Sequence, residues 1–189
     1  MQTKNLKHIK KIVLIGIFAA LLTGGKMAIA VIPNVEIVTI LLSIYTIVFG
    51  LSVALPVAII FVTVEILIFG FAPWVIAYYI YWPLLVVIMW LFKRLFKDKN
   101  IVYIITAILL TAFFGVLTSF VDTLFLAGSA DTNFFAVFAA IYLRGIWFYV
   151  THIVANAIIF SLLLIPLKAL AIKLNENYFA ENKKCTKND

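Results

Sequence analysis

Residues 37–69 read IVTILLSIYTIVFGLSVALPVAIIFVTVEILIF, an apolar run with one carboxylate, Glu65, and no lysine or arginine. A membrane-crossing helix takes about 20 apolar residues at about 1.5 Å each, so the run is too long for one crossing and slightly short for two. Gly50, Ser52 and Pro56 lie near its middle, where a tight hairpin places its turn. Whether the chain reverses here decides on which side of a bilayer everything downstream lies.

Working outward, four more apolar blocks appear: Ile12–Val31 with Lys26 inside it, Trp74–Phe92, Ile101–Leu126 with Asp122, and Gly145–Leu167. The composition agrees with them. Hydrophobic residues make up 66% of the 189 positions, charged residues 12%, and the mean hydropathy is +1.17. A water-facing surface cannot be built from so few charges, when soluble domains carry roughly 25%. The net charge of +7 flanks the apolar blocks rather than forming one basic face, so it fits anionic lipid headgroups and not nucleic acid. The lone Cys185 excludes an intrachain disulfide.

Lysine and arginine concentrate in cytoplasmic segments of membrane proteins. Here Lys4, Lys7, Lys10 and Lys11 precede the first block. Lys93, Arg94, Lys97 and Lys99 follow the third, and Lys168, Lys173, Lys183, Lys184 and Lys187 follow the last. All three clusters share one side only if residues 37–69 form a hairpin. The expectation is an all-α, six-transmembrane-helix bundle with both termini cytoplasmic, multi-pass in the cell membrane. Residues 1–174 form its single membrane domain and 175–189 a polar, frayed cytoplasmic tail. Ala28-Ile29-Ala30 resembles a signal-peptide cleavage site, but Lys26 is out of place in such a segment, so the first helix is read as retained. The stretch from Asp131 to Leu143 fits either a short interfacial helix or a lead-in to the sixth span.

This topology gathers the scarce polar residues near the outer face: Lys26, Asn34 and Glu36 around the first loop, Glu65 one turn below the surface, Trp74, Tyr78 and Trp82 on span four, Asp122 on span five, and Arg144, Trp147, His152 and Asn156 on span six. Trp74, Tyr78 and Trp82 are four apart, as are Arg144, Phe148, His152 and Asn156, so each set shares a helix face. Charges inside a bilayer normally face the bundle or a wet cavity. Glu65, Arg144 and His152 are therefore expected to border one outward-opening pocket, whose aromatic walls and few polar groups suit a small ligand. Each member also has a plainer reading: an interfacial aromatic belt, a snorkelling Lys26, an idle Asp122 in interfacial water, interhelical bonds for His152 and Asn156, or a Glu65–Arg144 pair that only holds helices together.

Gly16, Ala20 and Gly24 form a small-residue stripe on the first helix, suited either to packing within the bundle or to docking a separate membrane subunit. With this stripe, the basic N-terminus, the run Ile32-Pro33-Asn34-Val35-Glu36 leading into span two and Gly70-Phe71-Ala72-Pro73-Trp74 between spans three and four, the chain resembles the substrate-capture (S) component of an energy-coupling factor (ECF) transporter of the vitamin-uptake type. The resemblance covers nearly the whole chain, although that family's stripe is usually alanine. It implies a subunit that binds a vitamin-like ligand from outside, then joins a membrane coupling protein (T component) and two cytosolic ATPases, with toppling in the bilayer carrying the ligand inward. The chain has no phosphate-cradling G-x-x-x-x-G-K-[ST] sequence of its own.

Two other readings compete. A solitary proton-coupled transporter would use Glu65 and His152 as a relay, but the inner halves of the spans hold almost no ionisable groups to continue it. An enzyme would need a nucleophile–base pair, and Ser129 sits in a Gly128-Ser129 step without such a motif. Asp122 and Asp131 are too isolated for a metal site, and no cofactor is expected. The reversal is tested by labelling. On a Cys185→Ser background in intact cells, a membrane-impermeant maleimide is expected to modify Phe71→Cys and spare Lys99→Cys; labelling of Lys99→Cys from outside refutes the hairpin.

Overall fold

The computed structural model describes residues 2–96, 98–127 and 133–185. They form six helices: α1 (Gln2–Ile29), α2 (Val38–Phe49), α3 (Leu51–Phe69), α4 (Pro73–Leu95), α5 (Asn100–Ala127) and α6 (Phe134–Cys185). Five are long and apolar enough to cross a membrane; α2 is not. Large apolar side chains such as Ile12, Leu67, Leu109 and Leu162 point outward, each more than 60% exposed. The protein is an all-α membrane bundle, with lipid as the solvent for that outer surface.

The 37–69 run does turn back. Gly50 alone joins α2 to α3, with φ +83°, a left-handed value that favours glycine, and its N–H closes on Thr46 O at 3.1 Å. Ser52 and Pro56, expected in the turn, lie inside α3 instead. The shortfall in length falls wholly on α2. Its 12 residues rise about 18 Å, against about 28 Å for the 19 of α3. Nine of its residues, Val38–Ile40 and Leu42–Ile47, are buried, so α2 is the central post of the bundle. Two of its hydroxyls are satisfied within it: Ser43 donates to Thr39 O and Thr46 to Leu42 O, both at 2.7 Å.

Contacts between remote segments fix which ends lie together. Lys10 Nζ donates to Tyr178 O at 3.0 Å, and Tyr178 returns a bond from its hydroxyl to Lys10 O at 3.1 Å. Lys93 donates to Ile47 O near the end of α2. Lys168 reaches Asp98 at 2.9 Å and Asn100 at 3.0 Å. The described members of the three basic clusters therefore gather at one end of the bundle, as the positive-inside bias requires. Of the expected frayed tail, the described residues 175–185 are helical, since α6 runs on through Cys185, and Tyr178 packs against the core; 186–189 lie outside the described residues. Leu143 and the residues before it back to Phe134 are a lead-in continuous with α6; Ser129 and Asp131 lie outside the described residues.

The stripe of Gly16, Ala20 and Gly24 is exposed, and a Cβ added at either glycine meets nothing within 4 Å. Packing within the bundle does not explain it. Gly115 and Gly145 differ: both would bring a Cβ to 2.7 Å from the Tyr149 ring, which lies against both and shares a 2.8 Å bond with Ser119. Gly115→Ala overpacks this α5–α6 contact and is expected to destabilise by about 1–3 kcal/mol, whereas Gly16→Ala leaves thermal unfolding in detergent unchanged. Equal melting temperatures for the two variants contradict the packing described.

Candidate functional site

At the end opposite the basic clusters, the short α2 leaves a recess beneath the segment that joins it to α1. The cavity has a volume of about 360 Å³, within the range of roughly 300–1,000 Å³ usual for small-molecule sites. Lys26 and Ala30 line one side and the 32–36 segment another; Phe61, Tyr78, Trp82, Phe114, Phe148 and His152 complete the wall. Asn34 takes φ +64° within that segment, a left-handed turn conformation that asparagine tolerates well.

Two acidic residues organise the recess. Glu36 precedes α2 and accepts the Thr39 backbone N–H at 2.8 Å and the Thr39 hydroxyl. A carboxylate at this place satisfies an otherwise unpaired helix N–H and meets the positive end of the α2 dipole. From α6, Asn156 Nδ2 reaches the same carboxylate at 2.9 Å and His152 Nε2 at 3.3 Å. An ionised carboxylate only accepts, so the facing His152 nitrogen carries its proton. Asn156 Nδ2 also donates to Thr111 Oγ1 at 3.0 Å, and that hydroxyl donates to Ala107 O at 2.8 Å, extending the network into α5. Burial works against ionisation of Glu36, but the His152 and Thr39 interactions outweigh it and hold the carboxyl below the ordinary carboxylate value.

Glu65, wholly buried on α3, pairs with Lys26 of α1. The Lys26 ammonium also faces four rings: Tyr78 at 5.2 Å, Phe69 at 5.5 Å, Phe61 at 5.7 Å and Trp74 at 5.9 Å. Trp74, Tyr78 and Trp82 stack edge to face along α4 at 4.9 and 5.7 Å, so their four-residue spacing does set one wall. Trp82 Nε1 and Asn156 Oδ1 are buried without a hydrogen-bond partner among the described residues.

Of the residues expected at the site, Asn34, Glu36, Tyr78, Trp82 and His152 line the cavity, Glu65 and Trp74 form the adjoining Lys26 cluster, and Asn156 backs Glu36. Asp122, Arg144 and Trp147 do not line it. Trp147 is 80% exposed on the outer flank, and exposed Arg144 acts on Asp122 rather than on Glu65. The Glu65–Arg144 pair considered from sequence is thus replaced by Glu65–Lys26. Phe61, Phe114, Thr39 and Thr111 join the site without having been singled out; nothing in their local sequence distinguishes them from lipid-facing or core neighbours. Among the described residues, no group of three or more His, Cys, Asp and Glu side chains converges on one point as metal ligands.

Fold and site together define a multi-pass helical membrane protein with a charged, aromatic-walled cavity at one end. No family model, curated protein or solved structure matches the chain.

The Glu36 network makes a pH prediction. A carboxyl lowered on folding contributes stability that is complete above its unfolded value, near 4.5, and is lost as pH falls through the folded value. Acid unfolding of the wild type should therefore show a limb below pH 4.5 that Glu36→Gln removes. At neutral pH that substitution should also cost about 1–3 kcal/mol, by disrupting the bonds His152 and Asn156 make to it. An unaltered acid profile in Glu36→Gln disproves the role assigned to this residue.

Proposed function

We propose that this chain is the substrate-binding subunit of an ECF-type importer in the cell membrane, capturing a vitamin or related micronutrient at the outer face. The observation that carries the binding half is the recess itself: a volume of small-molecule size, aromatic walls for contact area, and His152, Asn34, Lys26 and Trp82 Nε1 as orienting polar groups at the end remote from the basic clusters. The assembly half is supported by the sequence resemblance and by the outward-facing Gly16, Ala20 and Gly24, which offer a membrane coupling protein a surface of close backbone approach. ATP hydrolysis then belongs to two cytosolic partners, and this chain's part is capture rather than catalysis.

Purification from native membranes followed by mass spectrometry is expected to find a retained small molecule that Glu36→Gln or His152→Ala releases. Replacing Gly16 and Gly24 together with leucine should leave that ligand bound while abolishing uptake by cells. A ligand retained equally by wild type, Glu36→Gln and His152→Ala refutes the site. Uptake by the purified chain alone in liposomes, driven by a pH gradient and indifferent to the leucine substitutions, favours a solitary proton-coupled transporter instead.

A further inference from the structure

We infer that the captured ligand carries a cationic nitrogen with N–H donors, a protonated amine or an amidinium, and that this group takes the place of the Lys26 ammonium between Glu65 and the surrounding rings. The inference rests on the capture reading and adds the chemical class of the ligand.

Three features of the Lys26 seat support it. Four aromatic rings lie within 6 Å of one ammonium, the arrangement by which proteins hold cations through the negative faces of rings. Glu65 is 0% exposed and uses only Oε2 toward Lys26, while its Oε1 has no hydrogen-bond partner among the described residues. A carboxylate offers acceptor sites on both oxygens, and a planar amidinium can engage both with parallel N–H bonds. Finally, Lys26 is the part of this cluster able to leave. It sits near the end of α1 with its side chain 26% exposed, on a flexible four-carbon stem whose strongly hydrated head is readily taken up by water.

Charge decides between ligand classes. The recess and its adjoining cluster hold two carboxylates, Glu36 and Glu65, against one lysine. An anionic ligand would have to draw Lys26 away from Glu65 and leave a wholly buried carboxylate unpaired, a strongly unfavourable outcome. A cationic ligand exchanges one partner of Glu65 for another. Lys26 is then a tethered occupant that keeps Glu65 paired until the ligand arrives, and the unpartnered Trp82 Nε1 remains to donate to an acceptor elsewhere on the ligand.

Three nearly isosteric probes of different charge test this: benzamidine, benzamide and benzoate, titrated calorimetrically into the full-length chain in lipid nanodiscs. The wild type is expected to bind benzamidine about tenfold more tightly than benzamide and to bind benzoate least. Lys26→Met removes the tethered competitor, so its benzamidine affinity should rise. Its melting temperature should fall with Glu65 unpaired and recover with benzamidine, a recovery lost in Lys26→Met/Glu65→Gln. If Lys26→Met does not fold, the order of the three probes on the wild type still decides. Benzoate as the tightest probe, no binding of any probe, or loss of benzamidine binding in a folded Lys26→Met each overturn the inference. A co-purified ligand that Glu36→Gln releases but that is neutral or anionic overturns it while leaving the capture reading intact; absence of any retained ligand counts against capture itself.

Discussion

A helix that begins inside a packed bundle must find partners for its first N–H groups where water is scarce, and the rest of this molecule is arranged around that demand. The α2 helix is about one-third shorter than α3, so its N-terminus opens inside the bundle. Glu36 answers it by accepting from Thr39, and a charge so placed needs further donors, which His152 and Asn156 supply from α6. Short helix, buried anion and cross-bundle polar network are one physical consequence, and the recess is the volume that α2 does not fill. Its opposite end needs no such device, because Gly50 returns the chain directly into α3 and Lys93 covers the Ile47 carbonyl.

The Lys26–Glu65 pair follows a second version of the same rule. A lysine within the apolar part of α1 and the single glutamate of α3 are each costly in lipid, and together they are tolerable. The four rings around Lys26 add attraction that an aliphatic lining could not. Lys26, Glu36 and His152 line one cavity, so the polar chemistry of this end forms two adjacent clusters.

Much of this was readable in the residues. The apolar blocks, the reversal within 37–69 and the gathering of polar groups at one end follow from hydropathy and charge bias, which act through the bilayer and need no tertiary detail. Which groups touch was less legible. The spacing of four that linked Arg144 to His152 and Asn156 advances roughly 40° beyond a full turn at each step, so over three steps the helix face rotates away and Arg144 ends outside. Trp147, five positions before His152, is turned about 140° from it and falls on the outer flank. Glu65 found Lys26 instead of Arg144 because α1 lies against α3, an adjacency that single-helix patterns do not encode. Phe114 and Phe61 are two of 17 phenylalanines, and only packing separates those that face the recess from those that face lipid. Lys26, which the sequence placed only near the first loop, is a member of the site through its contacts with Glu65 and four rings.

The close seating of Tyr149 of α6 against Gly115 of α5 ties the two helices into one plate. The recess straddles the seam between that plate and the first four helices: Lys26, Phe61, Tyr78 and Trp82 stand on one side, Phe114, Phe148 and His152 on the other. Across the seam at this end run the Glu36 bonds to His152 and Asn156. A shearing slide of the plate would widen or pinch the chamber as a whole, and this handful of hydrogen bonds is the stitching that such a slide must first undo.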